Sequence, residues 1–115
     1  MSYDITLIKD GKAVQVPLHN EGGIICVGGT YVADINITYN YGYFFMKSLS
    51  PRKGIRWLYR KKAKDTIKRL EKAIRELGTK RDSDYWKATP GNAGYILSVL
   101  LKWAKQHPDA IWEGD

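Results

Sequence analysis

DINITYNYGYFF, residues 34–45, holds the change of pattern on which the fold turns. Ile35, Ile37 and Tyr39 alternate with Asp34, Asn36, Thr38 and Asn40, so a strand here carries one apolar face and one wet face. After Gly42 the alternation stops. Tyr43, Phe44, Phe45, Met46 and Leu49 instead fit a short helix that ends at Ser50-Pro51, because a proline disfavours helical backbone in the residue before it. The chain therefore reads as sheet before this stretch and as helix after it.

Upstream, Asp4 to Lys9 reads as a strand that turns at Asp10-Gly11, a strong hairpin signal between apolar runs. Val14, Val16 and Leu18 alternate as the return strand. Pro17 cannot donate a ladder hydrogen bond, so that strand lies at an edge or turns its proline outward. A loop at His19-Asn20-Glu21-Gly22-Gly23 follows. The apolar run Ile24 to Val27 reads as a third strand ended by Gly28-Gly29, with Cys26 as a buried strand thiol, and a fourth strand begins near Thr30.

Downstream, Gly54 to Tyr59 reads as a short helical piece and Ala63 to Leu77 as a longer helix closed by Gly78. Ala63, Ile67, Leu70, Ile74 and Leu77 recur at helical spacing and form its apolar stripe, with Lys61, Lys64, Lys68, Lys72 and Arg75 on a neighbouring face. Asp65 with Arg69, and Glu71 with Arg75, have the spacing of stabilising i,i+4 pairs. The last helix starts with Thr89 as N-cap and Pro90 at its first position, and it runs through Ala104 on a stripe of Ile96, Val99, Leu100 and Trp103. Pro108 ends it, and the tail from Ala110 lays Ile111 and Trp112 onto the body. The expected fold is α+β: an N-terminal antiparallel sheet of about four strands packed against two or three C-terminal helices. It forms one domain over residues 1–115, with strands in about 4–41 and helices in about 43–107.

Charge divides this chain as sharply as secondary structure does. The segment from Lys47 to Arg81 holds 14 of the 19 basic residues against three acidic ones, a net of +11. The remainder, with five basic and nine acidic residues, carries −4. Such asymmetry concentrates anions, whether a nucleotide, a nucleic acid or an acidic protein surface, although a solvated helix face has the same composition. Met1 to Asp10 has no basic flank leading into an apolar run, and no stretch reaches the roughly 18 apolar residues that a membrane span requires. A cytoplasmic protein with no membrane partner is expected.

Candidates for chemistry are few. His19 and His107 lie far apart and neither has zinc-ligand spacing, so neither a metal nor another cofactor is expected. His19 sits in a loop beside Glu21 and could act as a base, with Glu21 or Asp34 orienting it, but nothing specifies a reaction and no catalytic residue is assigned. Gly91-Asn92-Ala93-Gly94 puts small residues in the first turn of the last helix. They would either expose N–H groups to an anion or let the capped helix pack closely on the sheet. No standard phosphate-binding motif is present. The residues expected to bind a ligand are His19, Asn20, Asn40, Arg56, Trp57, Arg60, Lys61 and Asn92, which are polar, basic or aromatic groups in loops or at helix starts.

The stretches HNEGG with a following GGT, DINITYNY, KGIRWLY, DYWKATPGNAG and WAKQHPDAIWEGD resemble those of small uncharacterised phage and prophage proteins, over nearly the whole chain. The resemblance implies a viral or mobile-element context, and hence the host cytosol. Three functions compete there. The first is a counter-defence protein that sequesters a nucleotide immune signal without catalysis. Basic residues would attract its phosphate and Tyr41, Trp57, Tyr59 or Trp86 would stack its base, and a homo-oligomer would build shared pockets. The second is a basic module that binds nucleic acid or protein through Arg56 to Arg75 and blocks a host factor. The third is a nucleotide-processing enzyme.

Overall fold

A computed structural model describes residues 1–115. Strand β1 (Ser2–Lys9) is the centre of a four-stranded antiparallel sheet with β2 (Lys12–Ala13), β5 (Asp34–Thr38) and β6 (Ile111–Gly114). The register sets Ile5 opposite Ile35 and Leu7 opposite Trp112, so side chains of like character share the inner face. A second sheet of two strands, β3 (Gln15–His19) and β4 (Thr30–Val32), continues from the first. Val14 and Ala33 join the two sheets: the Val14 N–H donates to Leu7 O and the Ala33 N–H to Val14 O.

The four strands of the main sheet are thus not the four read from the sequence. Residues 24–27 are not a strand, and Cys26 is exposed rather than buried. Ile24, Ile25 and Val27 are 60%, 79% and 100% exposed, in the loop between β3 and β4. Glycine pairs hold both ends of this loop. A Cβ on Gly22 would strike the Asn36 carbonyl, and Gly29, at φ +77°, folds against Leu18 and His19. The apolar run between them is carried outward. The return strand also breaks at Val14, and its pairing is irregular between Gln15 and His19: Val16 is buried while Leu18 turns to solvent, and Pro17 faces outward as expected. The fourth strand breaks at Ala33 and ends at Thr38, where a 3-10 turn over Tyr39–Tyr41 shifts the parity. Thr38 becomes buried and Tyr39 exposed, the reverse of strict alternation.

The helical half follows its local signals. Helix α1 (Gly42–Ser48) is followed by a 3-10 helix at Gly54–Leu58, and another at Ala63–Thr66 leads into α2 (Ile67–Leu77), which Gly78 closes at φ +77°. Helix α3 (Pro90–Gln106) is capped by the Thr89 hydroxyl, which accepts the Asn92 N–H. Helices α2 and α3 pack on each other and on the sheet around Leu70, Ala73, Ile96, Leu97, Leu100 and Trp103. The tail pairs with β1 as β6. Its fully buried Trp112 donates from Nε1 to Thr66 Oγ1 at 3.0 Å, and Thr66 donates in turn to Ala63 O, so this buried polar pair is satisfied. No helix is long and apolar enough to cross a membrane.

Candidate functional site

Three loops converge beside the first turns of α3. The backbone of Gly78 to Lys80 lies so close to Gly91 and Gly94 that a Cβ on either would strike a carbonyl of that segment. The small residues at this helix start therefore admit a neighbouring backbone and do not form an anion cradle. That contact carries the chain on to Arg81. The following turn, residues 82–87, is held by side chains: Asn92 Oδ1 accepts the Asp82 N–H, and its Nδ2 donates to Asp84 O and Lys87 O at 3.1 and 2.9 Å. Asn40 Nδ2 donates to Trp86 O at 2.8 Å from the opposite side. The Tyr85 hydroxyl bridges β5, accepting the Thr38 N–H and donating to Asn36 O. Gly23 packs against Tyr85 and Trp86, which brings the HNEGG loop onto this turn.

Between these loops lies a cavity of about 620 Å³, within the usual size of small-molecule sites. Its polar lining comes from Asn20, Glu21, Arg81, Asp82 and Ser83, and Tyr41, Tyr85 and Tyr95 supply aromatic walls. The Arg81 guanidinium lies 4.1 Å from the centre of the Tyr95 ring, and the Tyr95 hydroxyl donates to Glu21 Oε2. Burial raises the Tyr95 pKa first and the Glu21 bond adds to it, while Arg81 opposes both. The Asp84 N–H donated into Asp82 holds that carboxyl below the usual carboxylate range, against burial and with help from Lys87 at 3.6 Å. Neither Arg81 nor Glu21 belongs to any of the three ion pairs in the molecule.

The residues expected to bind a ligand are dispersed. Asn20 and Asn92 line the cavity, but the Asn92 amide is fully engaged in holding the 82–87 turn, and Asn40 holds the same turn from outside. His19 neighbours the cavity with both ring nitrogens occupied. Nδ1 accepts the Glu21 N–H, so Nε2 carries the proton and donates to Val32 O at 2.8 Å, while the ring lies 5.0 Å from that of Trp103. It orders the loop and has no free base nitrogen.

Arg56, Trp57, Arg60 and Lys61 do not line the cavity. Trp57 already carries cations of its own chain, Lys61 Nζ at 4.4 Å and Arg69 Cζ at 4.6 Å from the ring centre, which compete with a base for stacking on it. Burial, then Lys53 and Arg69, lower the Lys61 pKa. Arg56 lies over Tyr3 and Tyr39 and donates to Asp115 O, and Arg60 is exposed with left-handed backbone, its N–H on Trp112 O. The two expected helix ion pairs are not formed. Arg69 turns to Leu49 O and Trp57, and Glu71 pairs with Lys105 at 3.4 Å.

Arg81, Asp82, Ser83, Tyr85 and Tyr95 are lining residues to which the sequence reading gave no role in a site. The spacing of Asn92 and Tyr95, three apart on one helix face, was the available signal for Tyr95. No group of three or more His, Cys, Asp or Glu side chains is placed to hold a metal ion. No protein-family model matches the chain, and no curated protein or solved structure matches it at a significant level.

Proposed function

We propose that this chain is a small binding protein that holds an anionic, nucleotide-like ligand in the cavity between the HNEGG loop, the 82–87 turn and α3, without turning it over. One observation carries the reading: Arg81, fixed over Tyr95 at the cavity wall, has a guanidinium with no carboxylate partner. Arg81 also ends the segment of net +11, whose field would raise the local concentration of anions. His19 offers no free base nitrogen, which favours holding a ligand over processing it. Residues of HNEGG, DINITYNY and DYWKATPGNAG all contribute to the cavity. In the phage setting that these motifs imply, the use of such a site is to sequester a nucleotide immune signal of the host. A homo-oligomer is part of the same proposal and is read by sedimentation.

The test is thermal-shift screening of mononucleotides and of linear and cyclic dinucleotides, joined to mass spectrometry of whatever denatured protein releases. A ligand at 100 times its dissociation constant should add about 2.7 kcal/mol of stability. Arg81→Gln should reduce that gain, since a charge-assisted contact is worth about 1.5–3 kcal/mol. If no nucleotide stabilises the protein, or Arg81→Gln binds as the wild type does, the reading fails.

A second reading has its own observation. Of the 14 basic side chains between Lys47 and Arg81, only Lys64 has a side-chain carboxylate within 4 Å, the one on Asp109. Lys68, Lys72 and Arg75 are exposed along α2. This face suits the backbone of a nucleic acid, and binding there would fall steeply with salt. Replacing these three with Gln should abolish polynucleotide binding, and unchanged binding would reject the second reading.

A further inference from the structure

The cavity's free hydrogen-bonding groups are unevenly distributed. The Asp82 carboxylate is occupied by the Asp84 N–H and Lys87, and Asn20 Oδ1 by the Cys26 N–H at 3.0 Å. The Arg81 guanidinium, the Asn20 amide N–H groups and the Ser83 hydroxyl remain as donors, with no partner in the chain. The Glu21 carboxylate remains as the acceptor: Oε2 takes the Tyr95 hydroxyl, and Oε1 has no partner in the chain. Tyr95 separates the two charged groups, holding Arg81 on its ring face and Glu21 at its hydroxyl end, and they form no ion pair. A bare polyanion would satisfy Arg81 and be repelled by Glu21.

Taking the cavity as a ligand site, we infer that its ligand is two-ended, with an anionic group for Arg81 and a pair of hydrogen-bond donors for Glu21. A ribonucleoside phosphate has this chemistry. Its phosphate meets the guanidinium, and a carboxylate accepts from adjacent ribose hydroxyls, as it does in dinucleotide sites, or from the amino and imino edge of a guanine base. Glu21 is then the group that selects a nucleotide against phosphate or pyrophosphate.

Calorimetric titration of wild type, Glu21→Gln and Arg81→Gln with pyrophosphate, AMP, dAMP and dGMP tests this. Gln keeps the shape of Glu21 and an acceptor for Tyr95, so folding is preserved. At least one nucleotide should bind about tenfold or more tightly than pyrophosphate, and Glu21→Gln should remove that advantage while leaving pyrophosphate as tight or tighter. AMP favoured over dAMP identifies the ribose hydroxyls as the donors, and dGMP favoured over dAMP identifies the base edge. Either supports the inference. Nucleotide affinity that depends on Arg81 but is unchanged by Glu21→Gln would overturn the inference and leave the cavity reading standing. Pyrophosphate binding as tightly as every nucleotide would do the same. Binding of none of the four would overturn both.

Discussion

Gly94 sits where α3 passes beneath the carbonyl of Gly78, and Gly91 repeats the arrangement beneath Lys80. A methyl group at either position meets backbone, which has no rotamer with which to give way. Gly94→Ala should therefore cost about 3 kcal/mol, the upper part of the usual range for overpacking. Denaturant unfolding measures this, and a loss below about 0.5 kcal/mol, the scale of an ordinary surface substitution, would refute the close packing. From sequence alone, the same residues fit either an anion cradle or a close approach, because both need small side chains. Which one applies depends on a segment more than ten residues upstream. Asn92 was equally ambiguous: its position at a helix start was legible, but not that its amide would be taken up by the carbonyls of Asp84 and Lys87.

At the scale of elements, what was legible is what neighbours in sequence determine. The Asp10-Gly11 turn, the Thr89-Pro90 start, the Gly78 stop and the end of α1 before Ser50-Pro51 all depend on residues within a few positions, and each appears in the fold. The loop at 24–27 was misread because an apolar run without alternation gives no side preference, and because its two glycine pairs act through Asn36 and Leu18 rather than locally. Its side chains bury little, so replacing Ile25 and Val27 with Ser together should change stability by no more than about 0.5 kcal/mol. A larger loss in thermal unfolding would mean that the loop is packed. The α2 ion pairs failed for a related reason. Exposed pairs at i,i+4 are worth a few tenths of a kcal/mol, and the Trp57 face and the Lys105 ammonium compete with them successfully.

On the scale of the whole molecule, the candidate site was half legible. The HNEGG loop and the TPGNAG helix start do share one cavity, since both adjoin the 82–87 turn. The KGIRWLY segment lies elsewhere because its aromatic and basic groups bind each other across 3-10 turns and α2, a pairing that no spacing in the sequence reveals. The tyrosines follow the same logic of mutual burial. Five of the eight, Tyr3, Tyr41, Tyr59, Tyr85 and Tyr95, have their pKa raised, in each case first by burial. Tyr59 is pushed up to about 12, and its buried hydroxyl has no partner in the chain. An unfolded tyrosine ionises near pH 10. Above that value the unfolded chain loses phenol protons that the folded chain keeps, so the native state binds more protons and stability falls as pH rises. The contribution is whole below about pH 10 and is lost progressively toward about pH 12. Lys61, lowered by burial, acts in the opposite direction, but one lysine does not offset five tyrosines. Denaturant unfolding at about pH 8 and about pH 11 should therefore give a markedly lower midpoint at the higher pH, and an absorbance titration of the folded protein should show these five tyrosines ionising above the ordinary range. A flat stability profile, with these five tyrosines titrating near their ordinary value, would mean that this core is open to water.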